Sequence, residues 1–588
     1  MRSTTLLVLA LYWTPGLAAA GEAGAPPRKV PTFALSDAAG KVWSLKDLHG
    51  RKAVVVVFLG TECPVNNAYL SRLAELWREY GPRGIQFLGI NSNCNDTPDR
   101  VALHAREHGL PFPVLKDAGN VAADGFGARR TPEAFVLEPG GTVRYRGRID
   151  DQYGVGFRRP APTRRDLALA LDEVLAGKKG TYRETEAPGC LIARVHKPAP
   201  SGRYTYAKHV APVLQRHCQE CHRPGQIGPM PLLTYDDALA WSEMIREVVD
   251  EQRMPPWGAD PHYGHFSNDR RLPEDDRAAL LGWVDAGCPE GNPHEAPPPR
   301  EFAQGWTIGK PDVVLTMREV AQVPARAPGG VPYRYFTVPT NFPEDRWVQA
   351  AEARPGNRAV VHHIVVFVRE AGERGKQRHP DGFGRGLLTA FAPGDLPAVL
   401  PPGSAKKIPK GAVLLLQMHY TPNGVEQTDR SSVGLIFAKG PPRREARTRC
   451  VLNEDFAIPP GAADHEVRAA RTFERDVELL GLFPHMHLRG KDFTYRVVFP
   501  DGRSETLLSV PRYDFNWQSN YWLVRPLALP AGTRIECTAH FDNSRGNRNN
   551  PDSTRRVHWG DQTWDEMMIG FVDYAYADGK PGEAGRRP

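Results

Sequence analysis

Past its first 20 residues, this 588-residue chain has no apolar run approaching the ~18 residues that cross a membrane, so no membrane span is expected. It also lacks any dense basic run interleaved with aromatics. With a net charge of +7 spread over both signs, nucleic acid is not expected as a partner. Cysteine is scarce, at eight residues, too few for a disulfide scaffold of this length, so each has to be read separately. No cysteine follows Ala20 closely, which leaves no lipoprotein-type acceptor there, and no internal repeat is present. What the first 20 residues do hold is Arg2, an apolar run from Leu6 to Leu11 and the small residues Ala18, Ala19 and Ala20. That pattern reads as a secretory signal peptide over 1–20, which predicts a periplasmic or secreted protein. In such a compartment disulfides are expected between Cys450 and Cys537, and Cys190 and Cys288 are a further candidate pair.

The second half carries spaced metal ligands: adjacent His362 and His363, His419 in a Gln-Met-His-Tyr run, His485 and His487 flanking Met486, and Met567 after Asp565-Glu566. Three histidines plus a trio of two histidines and one methionine suit copper that cycles between Cu(I) and Cu(II), because imidazole and thioether serve both states. Neither trio contains the thiolate of a blue-copper site or of a typical structural zinc. Three ligands per ion leave positions open, which favours oxidative chemistry over simple electron passage. The flanking sequences are rich in Val, Leu and aromatics and predict strands. His485 and His487, two apart, then share a face. His362 and His363 are neighbours and converge only if their strand is distorted or if they use different ring nitrogens.

These motifs, in their order, resemble the copper type II ascorbate-dependent monooxygenases, which include peptidylglycine alpha-hydroxylating and dopamine beta-monooxygenases. The resemblance covers residues 311–577. It rests on the His-His pair, the Gln-x-His-Tyr, the His-x-His followed by Leu-x-Gly-Lys, and a late Asp-Glu-Met after Glu536-Cys537-Thr538. It implies two all-β sandwich domains, 311–444 and 445–577, and two copper ions. His362, His363 and His419 would hold the electron-entry copper, while His485, His487 and Met567 would hold the copper at which oxygen reacts; Met568 is a weaker candidate for the last ligand. One departure bears on substrate. Where peptide-hydroxylating members have an Arg, an Asn and a Tyr that help to hold the peptide carboxylate, this chain has Phe483, Ile569 and Phe571. A buried carboxylate unpaired among such side chains costs several kcal/mol, so a glycine-extended peptide is not the expected substrate.

Between these domains and the N-terminus lies Cys218-Gln-Glu-Cys221-His222, the spacing of covalent c-type haem attachment with His222 as the proximal ligand. Helical periodicity before it and over the segment ending near Gly287 predicts an all-α domain resembling class I cytochromes c, over 203–292. Met254 is favoured over Met230 as sixth ligand, since a loop has to cross to the far haem face. A Met/His pair would raise the potential of the single haem c.

The front of the chain alternates buried-type strands with an amphipathic helix: Val54–Gly60, then Cys63 at a helix start, then a second strand ending near Cys94. This βαβ order predicts a parallel sheet, and with Thr131-Pro132 before another strand it resembles the thioredoxin-like redoxin group over 28–180. A helix N-terminus favours a reactive thiolate at Cys63. The second cysteine of a CxxC is missing, since position 66 is Asn66. Cys94 is the candidate resolving thiol, and a degenerate binding or assembly module is the equal alternative. Residues 181–202 read as a polar linker, and the Gly- and Pro-rich tail after Ala577 as disordered.

The fold class expected is therefore multidomain: α/β thioredoxin-like, all-α cytochrome c, and two β-sandwich copper domains. The function expected is an exported monooxygenase that hydroxylates an unidentified small organic substrate with O2. Its electrons would come from an ascorbate-like reductant or a redox protein through the tethered haem. Two rivals are a non-catalytic electron-transfer or copper-binding protein, and a thiol peroxidase with accessory copper domains.

Overall fold

The computed structural model describes residues 29–577, apart from 49, 160, 179–182, 303–304, 326, 328–330, 371–385 and 393–396. The signal peptide and the tail after Ala577 lie outside the described residues. No helix among those described is long and apolar enough to cross a membrane.

The N-terminal region is built on a six-stranded sheet whose centre is Ala53–Leu59, seven consecutive buried residues. Such a continuous apolar run is what a strand covered on both faces requires. Ile85–Asn91 lies parallel to it on one side and Glu133–Leu137 antiparallel on the other. Separate apolar clusters fill the two faces: one includes Leu70, Leu73 and Leu171 from the helices Pro64–Tyr80 and Asp166–Leu175, the other Phe58, Phe126 and Phe135. Pro at the first turn of Pro64–Tyr80 fits a position whose N–H has no intrahelical acceptor, and Cys63 is the N-cap, accepting from the Asn66 amide.

Two segments expected as linker are strands instead. Arg183–Glu184 extends this sheet beside Val143–Gly147, and Cys190–Leu191 pairs with Arg130–Thr131. The hydrogen bonds that order them are main-chain and leave no trace in composition. Residues 205–290 form short helices, chiefly Ala211–His217, Ser242–Asp250 and Glu274–Asp285, around Trp241, Trp283 and Leu280.

The C-terminal half is two β-sandwiches. In the first, Arg334–Pro339, Val413–Tyr420, Val361–Arg369 and Leu387–Phe391 form one antiparallel layer. In the second, His465–Thr472, Arg534–Phe541, Gly490–Val498 and Ser504–Val510 do the same. Period-two burial is plain in Arg534–Phe541, where Ile535, Cys537, Ala539 and Phe541 are all buried and their neighbours are not. The remaining layers are continuous with one another, because Ser404–Ile408 pairs in parallel with Arg444–Leu452. This shared sheet fixes the two sandwiches side by side. The loop after Met254 docks on the second sandwich: Phe266 bridges to Leu523, and Trp257 packs on Tyr521 with ring centroids 4.8 Å apart.

All eight cysteines are free, so the expected disulfides are not formed. Cys190 and Cys288 have separate partners: the Cys63 sulfur lies against the first and Ser242 against the second. Cys450 and Cys537 are both buried in the second sandwich, close enough for each to influence the titration of Tyr495 between the strands.

Candidate active-site cleft

The strand Val361–Arg369 pairs with Val413–Tyr420 so that His363 faces His419, and the register shifts between Val361 and His363. This bulge is the distortion that adjacent histidines need. The Nδ1 atoms of His362 and His363 lie 3.3 Å apart, and candidate ligand atoms of His362, His363 and His419 all fall within 4.8 Å of one another. Nδ1 of His419 is buried with no hydrogen-bond partner. Tyr333, which sequence reasoning did not single out, packs edge-on to His363 and tilted on His419, at 5.3 and 5.0 Å.

His485 ends the strand Val477–His485, and His487 follows it with ring centroids 5.2 Å apart. Each ring has one nitrogen engaged. His485 Nδ1 lies 2.6 Å from Gln518 Oε1, and His487 Nδ1 lies 3.2 Å from the Asp565 carbonyl. Both contacts put the ring proton on Nδ1 and leave Nε2 as the free lone pair. Nε2 of His487 is buried and unpartnered. Met567 lines the same cleft as His485, whereas Met568 is buried in the core of the second sandwich. A further residue missed from sequence is Glu566. Fully buried, it accepts the backbone amides of His487 at 2.8 Å and Arg489 at 2.6 Å, fixing the turn that carries His487.

Burial holds all five imidazoles below the ordinary histidine range: His362 and His485 to about 4, His487 to about 3, His363 and His419 well below. Mutual repulsion adds to the effect at His363, where His485 and His487 also contribute. All are therefore neutral near pH 7, the form that ligates metal. Unpartnered buried nitrogens converging in this way are costly unless something binds them, and the donor set of the two groups fits copper. Phe515 stands between them, stacked on His362 at 5.4 Å and edge-on to His487 at 5.9 Å.

Both groups open on one cleft of about 80 Å³ between the sandwiches, reached by His363 from one side and by His485 and Met567 from the other. Its walls are largely apolar. Phe483 and Phe571 stack there at 5.4 Å, and Ile569 is buried behind them. The polar side chains there include Thr389, Gln417, Gln518, Asn520 and a buried Lys406–Asp573 ion pair at 3.2 Å.

In the helical region, His222 Nδ1 lies 3.1 Å from the Met230 carbonyl, leaving Nε2 available. A Cβ on Gly228 would come within 2.8 Å of the His222 ring, so only glycine fits this cradle. These features fit a proximal haem ligand held by a carbonyl. Met230 is buried on the His222 side, while Met254 is partly exposed on the loop after Ser242–Asp250. Burial pushes the Cys218 thiol up to about 12 and the Cys221 thiol up, the latter moderated by Arg270, Arg223 and Arg358. Arg358 belongs to the first sandwich and sits 5.4 Å from the Phe391 ring, which lines the cleft.

In the N-terminal region the structure brings Cys190, rather than Cys94, to Cys63. The Cys190 amide donates to Cys63 Sγ at 3.4 Å, and the Cys63 thiol donates to the Thr131 carbonyl at 2.9 Å. Cys94 instead donates to the Arg194 carbonyl at 3.2 Å. Burial works to raise the Cys63 thiol, but hydrogen bonds from the Cys190 side chain, the Cys190 and Asn66 amides and Thr131 bring it down to about 6.

Residues 26–146 match the AhpC/TSA family. The thiol-disulfide oxidoreductase ResA of Bacillus thuringiensis (strain Al Hakam) is 29% identical over 116 residues, 20% of this chain and 65% of that protein. A chloroplastic peroxiredoxin Q of Gentiana triflora is 29% identical over 121 residues, 19% of this chain and 54% of that protein. Among solved structures, a hypothetical protein of Sinorhizobium meliloti 1021 aligns with 30% of this chain and 97% of its own, at 29% identity and a TM-score of 0.26. The N-terminal region is thus an AhpC/TSA redoxin domain with a thioredoxin-like fold, similar to thiol-disulfide oxidoreductases and peroxiredoxins.

Proposed function

We propose that this multidomain chain is an exported dicopper monooxygenase that hydroxylates a small, largely apolar organic substrate with O2 and receives electrons through a tethered c-type haem. The observation that carries this reading is the shared cleft: a histidine trio on one sandwich and a His/His/Met group on the other, facing one apolar space with Phe515 between them. A protein that only stores copper or passes electrons has no need of an apolar cleft beside the second group.

Copper, when bound, supplies one-electron redox chemistry and reaction with O2. The chain's own residues do the rest. His362, His363 and His419 offer neutral lone pairs at the electron-entry site. Gln518 and the Asp565 carbonyl orient His485 and His487, and Met567 adds the soft thioether that favours the reduced metal. Phe483 and Phe571 hold an apolar substrate and exclude water, leaving no cationic clamp at those positions for a carboxylate. Gln417, Gln518 or Asn520 would position a single polar group of the substrate.

Support for the haem as electron source is positional. Cys221 lies within the electrostatic reach of Arg358, four residues before His362 on the first sandwich. A donor tethered there acts at high effective concentration. The redoxin domain gives a second reading, a thiol peroxidase with accessory copper domains, its thiol at Cys63 brought down to about 6.

Metal and pigment analysis tests the proposal. Protein made with haem-maturation machinery and loaded with copper should contain one covalent haem and about two copper ions, His363→Ala losing one copper and Cys221→Ala one thioether. No covalent haem, or copper no higher than in a triple variant at His362, His363 and His419, would overturn it.

A further inference from the structure

The segment around Cys190 lies along the edge of the redoxin domain beside Cys63. Cys190 pairs with Thr131 and Leu191 with Arg130, immediately before Pro132, in an antiparallel ladder. The Arg130 guanidinium donates to the Gly189 carbonyl at 2.8 Å. Gly189 has φ +105°, and a Cβ there would fall 2.2 Å from the Thr131 carbonyl and 3.3 Å from Cys63 Sγ, so the backbone passes directly over the thiol. Cys63 is only 1% exposed as a result. At position 66, where a CxxC would place its second thiol, the side chain of Asn66 is buried and donates to the Gly60 carbonyl.

We propose that Cys63 and Cys190 form a reversible dithiol–disulfide pair, in which Cys190, supplied by a strand laid into the groove from outside the redoxin sheet, exchanges with the external partner and the buried Cys63 closes the bond. The co-reactant is an external disulfide. Cys190 attacks one sulfur of that disulfide, breaking its S–S bond, and its proton passes to the external sulfur released. Cys63 thiolate then attacks the Cys190 sulfur, forming the Cys63–Cys190 bond and releasing the second external sulfur. The two protons of the pair end on the external thiols, so the pair is oxidised by two electrons and the external disulfide is reduced by two. In the reverse direction an external thiolate attacks Cys190, and Cys63 departs. A low-pKa thiol is the better leaving group, which suits Cys63 to that role.

Forming the bond pins Cys190–Leu191 in the groove and closes the edge to any other peptide. It also acts at the junction with the helical region, where Leu191 N–H donates to Met244 Sδ at 3.4 Å and Arg130 pairs with Glu247 at 2.8 Å. The redox state of the pair thus sets how firmly the two regions are joined.

The test is thiol trapping and peptide mapping of the full-length holoprotein equilibrated in buffers of reduced and oxidised dithiothreitol. The wild type and Cys94→Ser should yield a Cys63–Cys190 peptide in oxidising buffer and lose it reversibly in reducing buffer. Cys190→Ser should yield no disulfide at Cys63 and should alkylate at Cys63 at least tenfold faster than the oxidised wild type. A Cys63–Cys94 linkage, or Cys63 and Cys190 both alkylated in wild type across the whole buffer range, would overturn the proposal. The wild-type map decides the matter even if Cys190→Ser fails to fold.

Discussion

Replacing Glu566 by alanine should be among the most damaging single changes in the second sandwich, although the side chain touches neither cleft nor solvent. Its carboxyl group accepts two backbone amides, His487 at 2.8 Å and Arg489 at 2.6 Å, while burial raises its pKa to about 8. Each amide left buried without an acceptor costs about 1–3 kcal/mol, so the pair amounts to roughly 2–6 kcal/mol. Glu566→Gln keeps one acceptor oxygen and should cost about half as much. Because the lost bonds hold the turn bearing His487, copper at the His485/His487/Met567 group should fall away while the His362/His363/His419 group keeps its ion. Urea unfolding of the full chain, following the transition of the second sandwich, together with copper analysis, reads both effects. An alanine variant within about 0.5 kcal/mol of wild type that still binds two coppers would refute the reasoning.

Gln518→Leu removes the partner of His485 Nδ1 and should weaken copper at that group by about 10–100-fold, measured by competition with a chelator, with stability little changed. Met567→Ala should lose the cleft-side copper. Met568→Ala, emptying a core position, should instead cost about 2–5 kcal/mol and keep both ions, as urea unfolding and metal analysis would show. Cys63 has a folded-state pKa of about 6 against an ordinary thiol value of 9.0, so its thiolate stabilises the fold fully above about pH 9. That contribution declines as pH falls and is gone below about 6, and thiolate ultraviolet absorbance of the reduced protein should titrate near pH 6 and lose this step in Cys63→Ser.

That His362, His363 and His419 would gather in one group and His485, His487 and Met567 in another was legible in the motif spacing, and the βαβ front because a doubly covered strand needs a run such as Ala53–Leu59. The condition that adjacent His362 and His363 require a distorted strand was readable too, and the bulge at Val361/His363 is that distortion. What could not be read were contacts made by main chain across long separations. Nothing in the composition of 181–202 signals that Cys190 pairs with Thr131, so Cys94, at the end of the neighbouring parallel strand, looked the better partner for Cys63. Glu566, read only as a neighbour of Met567 in the Asp-Glu-Met run, escaped notice as a support for the same reason: it serves backbone amides 77 and 79 residues away. Phe515 and Tyr333 lie in loops without periodicity, where only the folded sandwiches bring their rings to the histidines.

The most direct measurement is oxygen uptake by reduced, copper-loaded protein offered a panel of small apolar substrates. Wild type should consume oxygen and yield hydroxylated product. Met567→Ala should consume none above a copper-free control while its haem still reduces. Wild-type uptake indistinguishable from the copper-free control across the panel would contradict the monooxygenase account and leave an electron carrier.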